Sequence, residues 1–219
     1  MLKPQDFLSI NSEIDPSAHI CPGAVIGKLF RPLLEVGGEP AAESVTRIGA
    51  DVHVGHYTLI GSGSILGRGV IVDDNCSIES DVVIGERSLI IYRAHICNEA
   101  QIGKYCVIGG LVAERVVVGD RTRIFGKIVH SQHDPTVGWD APTAVEPSAT
   151  LESDVFVGFN ALIVGEVTLG AMAYVCAGAI VTRDVPAKHI AHGVNKIVPF
   201  DKWKGKLANS PCFGERPRK

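Results

Sequence analysis

The clearest feature of the chain is an aliphatic residue that recurs at every sixth position. From Ile48 a step of six meets Ile, Val or Leu eleven times in succession, and the run ends at Ile108. An amphipathic helix spaces its apolar residues by three and four, so a constant spacing of six excludes it. A fixed period of this kind indicates a repeat architecture. The same register appears at Ile14, Ile20, Ile26, Val118, Ile124, Val145, Leu151, Val157, Ile163, Leu169, Val175 and Val181.

A second column of small or slender residues lies four positions after each aliphatic, as at Ser64, Cys76 and Ala94. Charged residues between the two columns exclude the simple alternation of a long amphipathic strand. Short parallel strands that turn a corner every six residues account for both columns. Three such sides close a coil of about 18 residues, and successive coils stack about 4.8 Å apart. Glycine often follows the aliphatic, as at Gly49 and Gly85, and there we expect a tight turn with positive φ.

Composition and charge narrow the class of protein. Ile, Val and Leu supply 60 of the 219 residues, whereas aromatic residues make up 6%, so the chain is a folded β protein and not a disordered one. A formal net charge of −3 predicts no nucleic-acid partner. No apolar run of about 18 residues and no leader-like N-terminus are present, so we expect no membrane association and a cytoplasmic location. Six cysteines without a C-x-x-C pair give no zinc motif, and no metal is expected.

The interruptions of the repeat are where chemistry is expected, because the coils themselves resemble one another. We predict a β-helix domain over residues 1–185 with loop insertions at about 27–47 and 130–144. Residues 186–219 are expected to form an extension with a short helix and a frayed tail. The second loop contains His130, His133, Asp134 and Trp139. Histidine is the usual general base near neutral pH, and a nearby carboxylate can fix its tautomer.

Three further segments carry a family resemblance. They read D-V-F-V-G over 154–158, C-A-G-A-I-V-T-R-D-V-P over 176–186 and H-G-V-N-K-I-V over 192–198. Together with the hexapeptide period they resemble the hexapeptide-repeat acyltransferases, closest to the galactoside, maltose and xenobiotic O-acetyltransferase group. The resemblance implies a left-handed parallel β-helix. Phe156 stands where that group has tryptophan, and Asn195 stands where it has proline.

The resemblance also implies a function. It predicts transfer of acetyl from acetyl-CoA to a hydroxyl or amine of a small-molecule acceptor, such as a sugar or nucleotide sugar, at the interfaces of a homotrimer. The catalytic base is His130 or His133, and the sequence after His133 is similar to the S-H-D-P form of some exopolysaccharide acetyltransferases, which includes Asp134. The cofactor-binding residues that match the family pattern are Gly158, Ala177, Thr182, Arg183 and Lys196.

Two other classes of protein remain open. The first is a γ-carbonic-anhydrase-like metalloenzyme, which shares this type of helix and binds metal through histidines. Its Arg-x-Asp element and H-x4-H spacing are missing, although several histidines could supply nitrogen ligands. The second is a non-catalytic trimeric scaffold or binding protein. The candidate nitrogen donors are His53, His56, His95, His130 and His133.

Overall fold

The computed structural model describes residues 11–28, 44–131 and 148–204. The chain divides into two compact units, of which the first ends at Arg115 and the second begins at Val116.

The described part of the first unit consists of short strands joined by turns. They pair in three parallel sheets, each of which takes every third strand along the chain. Ile84 pairs with Ile102 and Ile90 with Ile108, so one coil spans 18 residues and has three sides. The strands are β1 (Ser12–Ile14), β2 (His19–Ile20), β3 (Val25–Lys28), β4 (Thr46–Ile48), β5 (His53–Val54), β6 (Leu59–Gly61), β7 (Ile65–Leu66), β8 (Ile71–Val72), β9 (Ser77–Ile78), β10 (Val83–Ile84), β11 (Leu89–Ile90), β12 (His95–Ile96), β13 (Gln101–Ile102), β14 (Val107–Ile108) and β15 (Leu111–Val112).

The second unit repeats this arrangement and ends in an antiparallel pair. Its strands are β16 (Val117–Val118), β17 (Arg123–Ile124), β18 (Lys127–Val129), β19 (Thr150–Leu151), β20 (Phe156–Val157), β21 (Leu162–Val164), β22 (Thr168–Leu169), β23 (Tyr174–Val175), β24 (Ile180–Val181), β25 (His189–His192) and β26 (Lys196–Pro199). The sheet orders are β16-β19-β22, β17-β20-β23-β25-β26 and β18-β21-β24. Only the β25–β26 pair among these is antiparallel, and a turn of 3-10 helix over Phe200–Lys202 follows it.

The predicted fold class is therefore confirmed: the described residues form a parallel β-helix with almost no helical structure. Among them, no helix has the length and apolarity needed to cross a bilayer. Residues 29–43, 132–147 and 205–219 lie outside the described residues, and most of both predicted insertions and the predicted frayed tail fall there. The domain boundary at 185 stays a prediction, and β25 continues the parallel pairing beyond it.

The inward aliphatic column forms the core. From Ile48 to Ile108 every member of the predicted run is buried, with Val54, Ile60 and Ile90 at 0% exposure. Each of these side chains stacks on the equivalent residue of the next coil, so the column is a continuous apolar stack. Ile14 departs from the pattern with 36% exposure, because β1 is the first strand of its sheet in the described chain.

Buried hydroxyls in the second column are satisfied by the neighbouring coil. Ser88 donates from Oγ to the carbonyl oxygen of Gly103 at 2.8 Å and accepts from the backbone N–H of Cys106 at 3.0 Å. Thr58 makes the same two contacts with Asp73 and Cys76. Since an unpaired buried hydroxyl is unfavourable, these bonds explain why Ser and Thr can occupy the same column as Val and Ala.

The glycines that follow the aliphatic residues were predicted to adopt positive φ, and at Gly49 and Gly85 this prediction is wrong. Gly49 and Gly85 do not have positive φ, and the left-handed positions lie two residues later in each hexapeptide, as at Asp51 and Arg87. A Cβ added at Gly85 would lie 2.6 Å from the carbonyl carbon of Gly103 in the next coil. Close stacking of the backbones, and not turn geometry, therefore requires glycine at this position.

Replacing Gly85 with alanine is expected to destabilise the helix by about 1–3 kcal/mol, the usual range for overpacking. The added Cβ would meet backbone atoms of Gly103 and Lys104, which cannot move without disturbing the next coil. Urea denaturation measures the change in the free energy of unfolding. Ile91→Ala is the control, because Ile91 occupies the position of Gly85 in the next hexapeptide and already carries a Cβ. A Gly85→Ala protein as stable as the wild type would contradict the stacking explanation.

Candidate active site

His130 lies directly after β18 in the second unit. The parallel pairing of β18 with β21 aligns Val129 with Val164, and the N–H of Gly165 donates to the carbonyl of Val129 at 2.9 Å. The His130 side chain is half-buried, and its Nε2 atom is shielded from solvent. The strand ladder thus fixes the backbone on which this candidate base is carried.

The other predicted members of the catalytic loop are not described. His133, Asp134 and Trp139 fall within residues 132–147, outside the described part of the chain. The pairing of a loop carboxylate with a loop histidine therefore stays a prediction.

Thr182 and Arg183, predicted to bind cofactor, are brought together by Asn195. The Thr182 N–H donates to Asn195 Oδ1 at 2.8 Å, and Asn195 Nδ2 donates to Thr182 Oγ1 at 2.8 Å. The Arg183 guanidinium donates to the backbone carbonyl of Asn195. Asn195 has a left-handed φ of 52°, which asparagine adopts more easily than most residues. Asn195, one of the two residues that depart from the family pattern, therefore connects this cluster, and no sequence motif indicated that role.

His130 and this cluster lie along one sheet of the second unit. Strands β18, β21 and β24 are consecutive in that sheet, with Ile128 aligned with Ile163 and Ile163 with Val181. His130 follows the first of these strands, and Thr182 follows the third. Two coil steps of about 4.8 Å separate the corresponding backbone positions.

Two of the remaining cofactor candidates, Gly158 and Ala177, lie in the segments that precede β21 and β24, and the third, Lys196, begins β26. Gly158 is buried, and Ala177 of the next coil is exposed. A Cβ added at Gly158 would lie 2.6 Å from the backbone nitrogen of Ala177. Lys196 is exposed at the start of β26, next to Asn195. The sequence prediction therefore selected residues that the fold places on neighbouring coils of one unit.

A stack of aromatic rings, which the sequence analysis did not single out, flanks Gly158. The ring of Phe156 stacks on Tyr174 with centroids 4.6 Å apart, and Phe125 stacks on Phe159 at the same separation. Phe159 is 64% exposed, so this stack offers an apolar face to solvent. The spacing of 18 between Phe156 and Tyr174 could have revealed the pair once the coil length was known.

A histidine–carboxylate pair also lies in the first unit, where the sequence analysis had named His95 only as a nitrogen donor. His95 Nε2 lies 2.8 Å from Glu79 Oε1 and 3.9 Å from Cys97 Sγ. The contacts with Cys97 and Glu79 outweigh partial burial and raise the pKa of His95 to about 10. The other two donors of the first unit that were named for the metalloenzyme alternative have separate partners, since His56 Nδ1 lies 3.3 Å from Asp74 Oδ1 and the ring of His53 stacks on that of His19.

The raised pKa of His95 predicts a pH dependence of stability. The folded protein holds this proton more tightly than the unfolded chain, whose histidine titrates near 6.5. The stabilisation of the folded state by protonated His95 is therefore fully present below about pH 6.5, and it is lost as the pH rises towards about 10. Thermal unfolding followed across this range is expected to show a falling midpoint, and His95→Gln is expected to remove that part of the decline. An NMR titration of the His95 ring with a midpoint near 6.5 would contradict the prediction.

Three-sided coils of six-residue repeats define the hexapeptide-repeat class of β-helix proteins. Comparisons with known proteins are consistent with this class. No protein-family model matches the chain. The bifunctional protein GlmU of Koribacter versatilis is 29% identical over 203 residues, which cover 88% of this chain and 41% of that protein. The chain thus spans about two fifths of the length of this curated relative. The repeat and this relative confirm the predicted resemblance to hexapeptide-repeat acyltransferases, without singling out the galactoside, maltose and xenobiotic group.

Solved structures match the chain at low similarity. The UDP-N-acetylglucosamine acyltransferase of Francisella novicida is 17% identical with a TM-score of 0.46, and the match covers 86% of this chain and 67% of that one. The GDP-perosamine N-acetyltransferase of Caulobacter crescentus, in complex with CoA and GDP-perosamine, is 22% identical with a TM-score of 0.30. That match covers 84% of this chain and 54% of that one.

Proposed function

We propose that the chain is an acyltransferase that moves acetyl from acetyl-CoA to a hydroxyl or amine of a small acceptor, such as a sugar or nucleotide sugar. The observation that carries the proposal is the arrangement of the second unit. There the family-like closing segments fold into the Thr182–Arg183–Asn195 cluster, in the same sheet as His130. The acceptor class comes from the family resemblance.

His130 is the proposed general base. It would accept the proton of the acceptor hydroxyl or amine as the oxygen or nitrogen attacks the thioester carbonyl. The tetrahedral intermediate then collapses, the C–S bond breaks, and the imidazolium returns the proton to the departing CoA sulfur. Backbone N–H groups of a neighbouring coil are suited to stabilise the oxyanion. His95 is a poorer candidate, because a group with a pKa of about 10 is already protonated at neutral pH.

The donor is proposed to lie along the coils that contain Gly158 and Ala177. Arg183 and Lys196 supply exposed positive charge suited to phosphate groups. The stack of Phe125, Phe156, Phe159 and Tyr174, in the same unit, supplies an apolar face for the less polar part of the donor. Positive charge and apolar surface within one unit suit the phosphate-bearing and the less polar parts of a CoA molecule.

A homotrimer in the cytoplasm completes the proposal. The family resemblance implies a groove between protomers, and flat sheet faces suit packing around a threefold axis. Sedimentation velocity of the full chain tests the oligomeric state, and a monomer at working concentration would contradict this part.

The experiment that tests the activity is a thiol-release assay on the untagged full chain. Acetyl-CoA is combined with a panel of sugars, amino sugars and nucleotide sugars, and free CoA is measured. We expect acceptor-dependent CoA release and calorimetric binding of CoA. A chain that binds no CoA would instead support a scaffold or binding protein.

A further inference from the structure

A group of metal-ligand side chains lies in the first unit, at the start of the described chain. His19 lies on β2, His53 lies on β5, and Cys21 directly follows β2. The two histidines are register partners in the parallel sheet. One ligand atom from each of the three residues lies within 4.8 Å of the other two.

The distances fit a shared metal ion better than a direct contact. Cys21 Sγ and His53 Nε2 are 3.8 Å apart, which is long for a hydrogen bond. Two ligands of one tetrahedral zinc ion, with Zn–S of about 2.3 Å and Zn–N of about 2.0–2.1 Å, lie about 3.6 Å apart. The rings of His19 and His53 stack with centroids at 5.1 Å, and His19 is exposed. Its ring can therefore turn to complete a site without moving the core.

The donor set selects the class of ion. Imidazole nitrogen and thiolate sulfur favour zinc and related transition-metal ions, whereas calcium and magnesium need oxygen ligands. The group of Glu79, His95 and Cys97 provides a comparison in the same unit. There the histidine nitrogen lies 2.8 Å from the carboxylate oxygen, shorter than the span of about 3.4 Å between two ligands of one ion. That group contains a short hydrogen bond between imidazole and carboxylate, whereas the first group has only the long contact of 3.8 Å between sulfur and nitrogen.

The backbone holds the first group in place across an irregular part of the chain. Cys21 donates its N–H to the carbonyl of Val54 at 2.8 Å, and His53 donates to that of Val70 at 2.9 Å. His19 and His53 are 34 residues apart, whereas His53 and its next register partner, Ile71, are 18 apart. A metal ion here would join two coils whose connection is longer than the regular repeat, and closing such a loop restricts the unfolded chain.

We propose that His19, Cys21 and His53 bind one zinc-class ion that ties the first described coil to the second. The Cys21 thiol loses its proton to solvent as the sulfur–metal bond forms, and both imidazoles bind as neutral ligands. Three protein ligands leave the fourth tetrahedral position to water. This site is independent of the proposed acyl transfer.

Cobalt(II) titration of the untagged, chelator-treated full chain tests the proposal. Cobalt bound to thiolate and imidazole gives a sulfur-to-metal charge-transfer band and visible absorption. We expect one equivalent of Co(II) to produce both bands, Zn(II) to displace them, and Zn(II) to raise the midpoint of thermal unfolding. Cys21→Ser is expected to lose the charge-transfer band.

Two further variants keep the test decisive. His19→Ala removes an exposed ligand with little risk to folding, and it is expected to weaken Co(II) binding and abolish the thermal shift. Cys97→Ser is the matched control and is expected to bind as the wild type does. Absence of the bands in the wild type, or their loss in Cys97→Ser but not in Cys21→Ser, would overturn the proposal.

Discussion

Replacing His130 with alanine is expected to lower kcat for acetyl transfer by about 10²–10⁴-fold, the usual contribution of a general base. The KM for acetyl-CoA is expected to change little, because the residues proposed to bind the donor follow other strands. The substitution removes a half-buried ring that follows β18, so the strand ladder that positions the loop is retained. Steady-state kinetics with the best acceptor from the panel measures both constants.

His133→Ala and His189→Ala complete this experiment. His133 is the competing candidate for the base. The catalytic histidine is the one whose replacement, in His130→Ala or His133→Ala, causes the larger loss of kcat. His189 lies in the second unit, where its Nδ1 is 2.9 Å from the carbonyl oxygen of Ala187, and its replacement is expected to leave kcat unchanged. Undiminished turnover in the His130→Ala, His133→Ala double variant would refute histidine base catalysis.

Removing positive charge from the donor site is the second change with a large expected effect. Arg183→Ala and Lys196→Ala are each expected to raise the KM for acetyl-CoA by about tenfold to a hundredfold at low ionic strength, because each removes a charge-assisted contact with phosphate. The kcat is expected to change much less, since neither residue touches the reacting carbonyl in the proposed mechanism. Salt is expected to reduce the difference between variant and wild type.

A donor without phosphates separates this role from a structural one. S-acetylpantetheine carries the same thioester without phosphate groups, so wild type and both variants are expected to use it equally well. Arg183 also donates to the Asn195 carbonyl, and Arg183→Lys keeps the charge but alters that contact. An equal loss of activity with both donors would show that Arg183 supports the fold and not the donor.

The sequence predicted the architecture because each coil repeats the same physical requirement. An aliphatic every six residues must point inward for the core to close, and residues such as Ile60 and Ile90 are buried accordingly. The glycine pattern was interpreted as a need for positive φ, and at Gly49 and Gly85 that interpretation is wrong. A pattern of glycines does not distinguish positive φ from close approach of a neighbouring backbone, and at Gly85 only the stacked coil resolves the two.

The site was predictable where a motif is local and not where it depends on stacking. Thr182 and Arg183 were selected from one continuous segment, whereas Asn195 connects them from the turn between β25 and β26. Glu79 and His95 are 16 residues apart, and they meet only because the coil returns after 18. Contacts of this kind become visible in a sequence once the coil length is known and the chain is aligned with itself at that spacing.

Transfer of a labelled acetyl group is the most direct test of the proposed acetyltransferase activity. The full chain is incubated with acetyl-CoA labelled with carbon-13 in the acetyl group and with sugars, amino sugars and nucleotide sugars, and the acceptors are analysed by mass spectrometry. We expect a labelled acetyl group on at least one acceptor, in the same molar amount as the CoA released. CoA release without a labelled acceptor, or no release with any member of the panel, would contradict it.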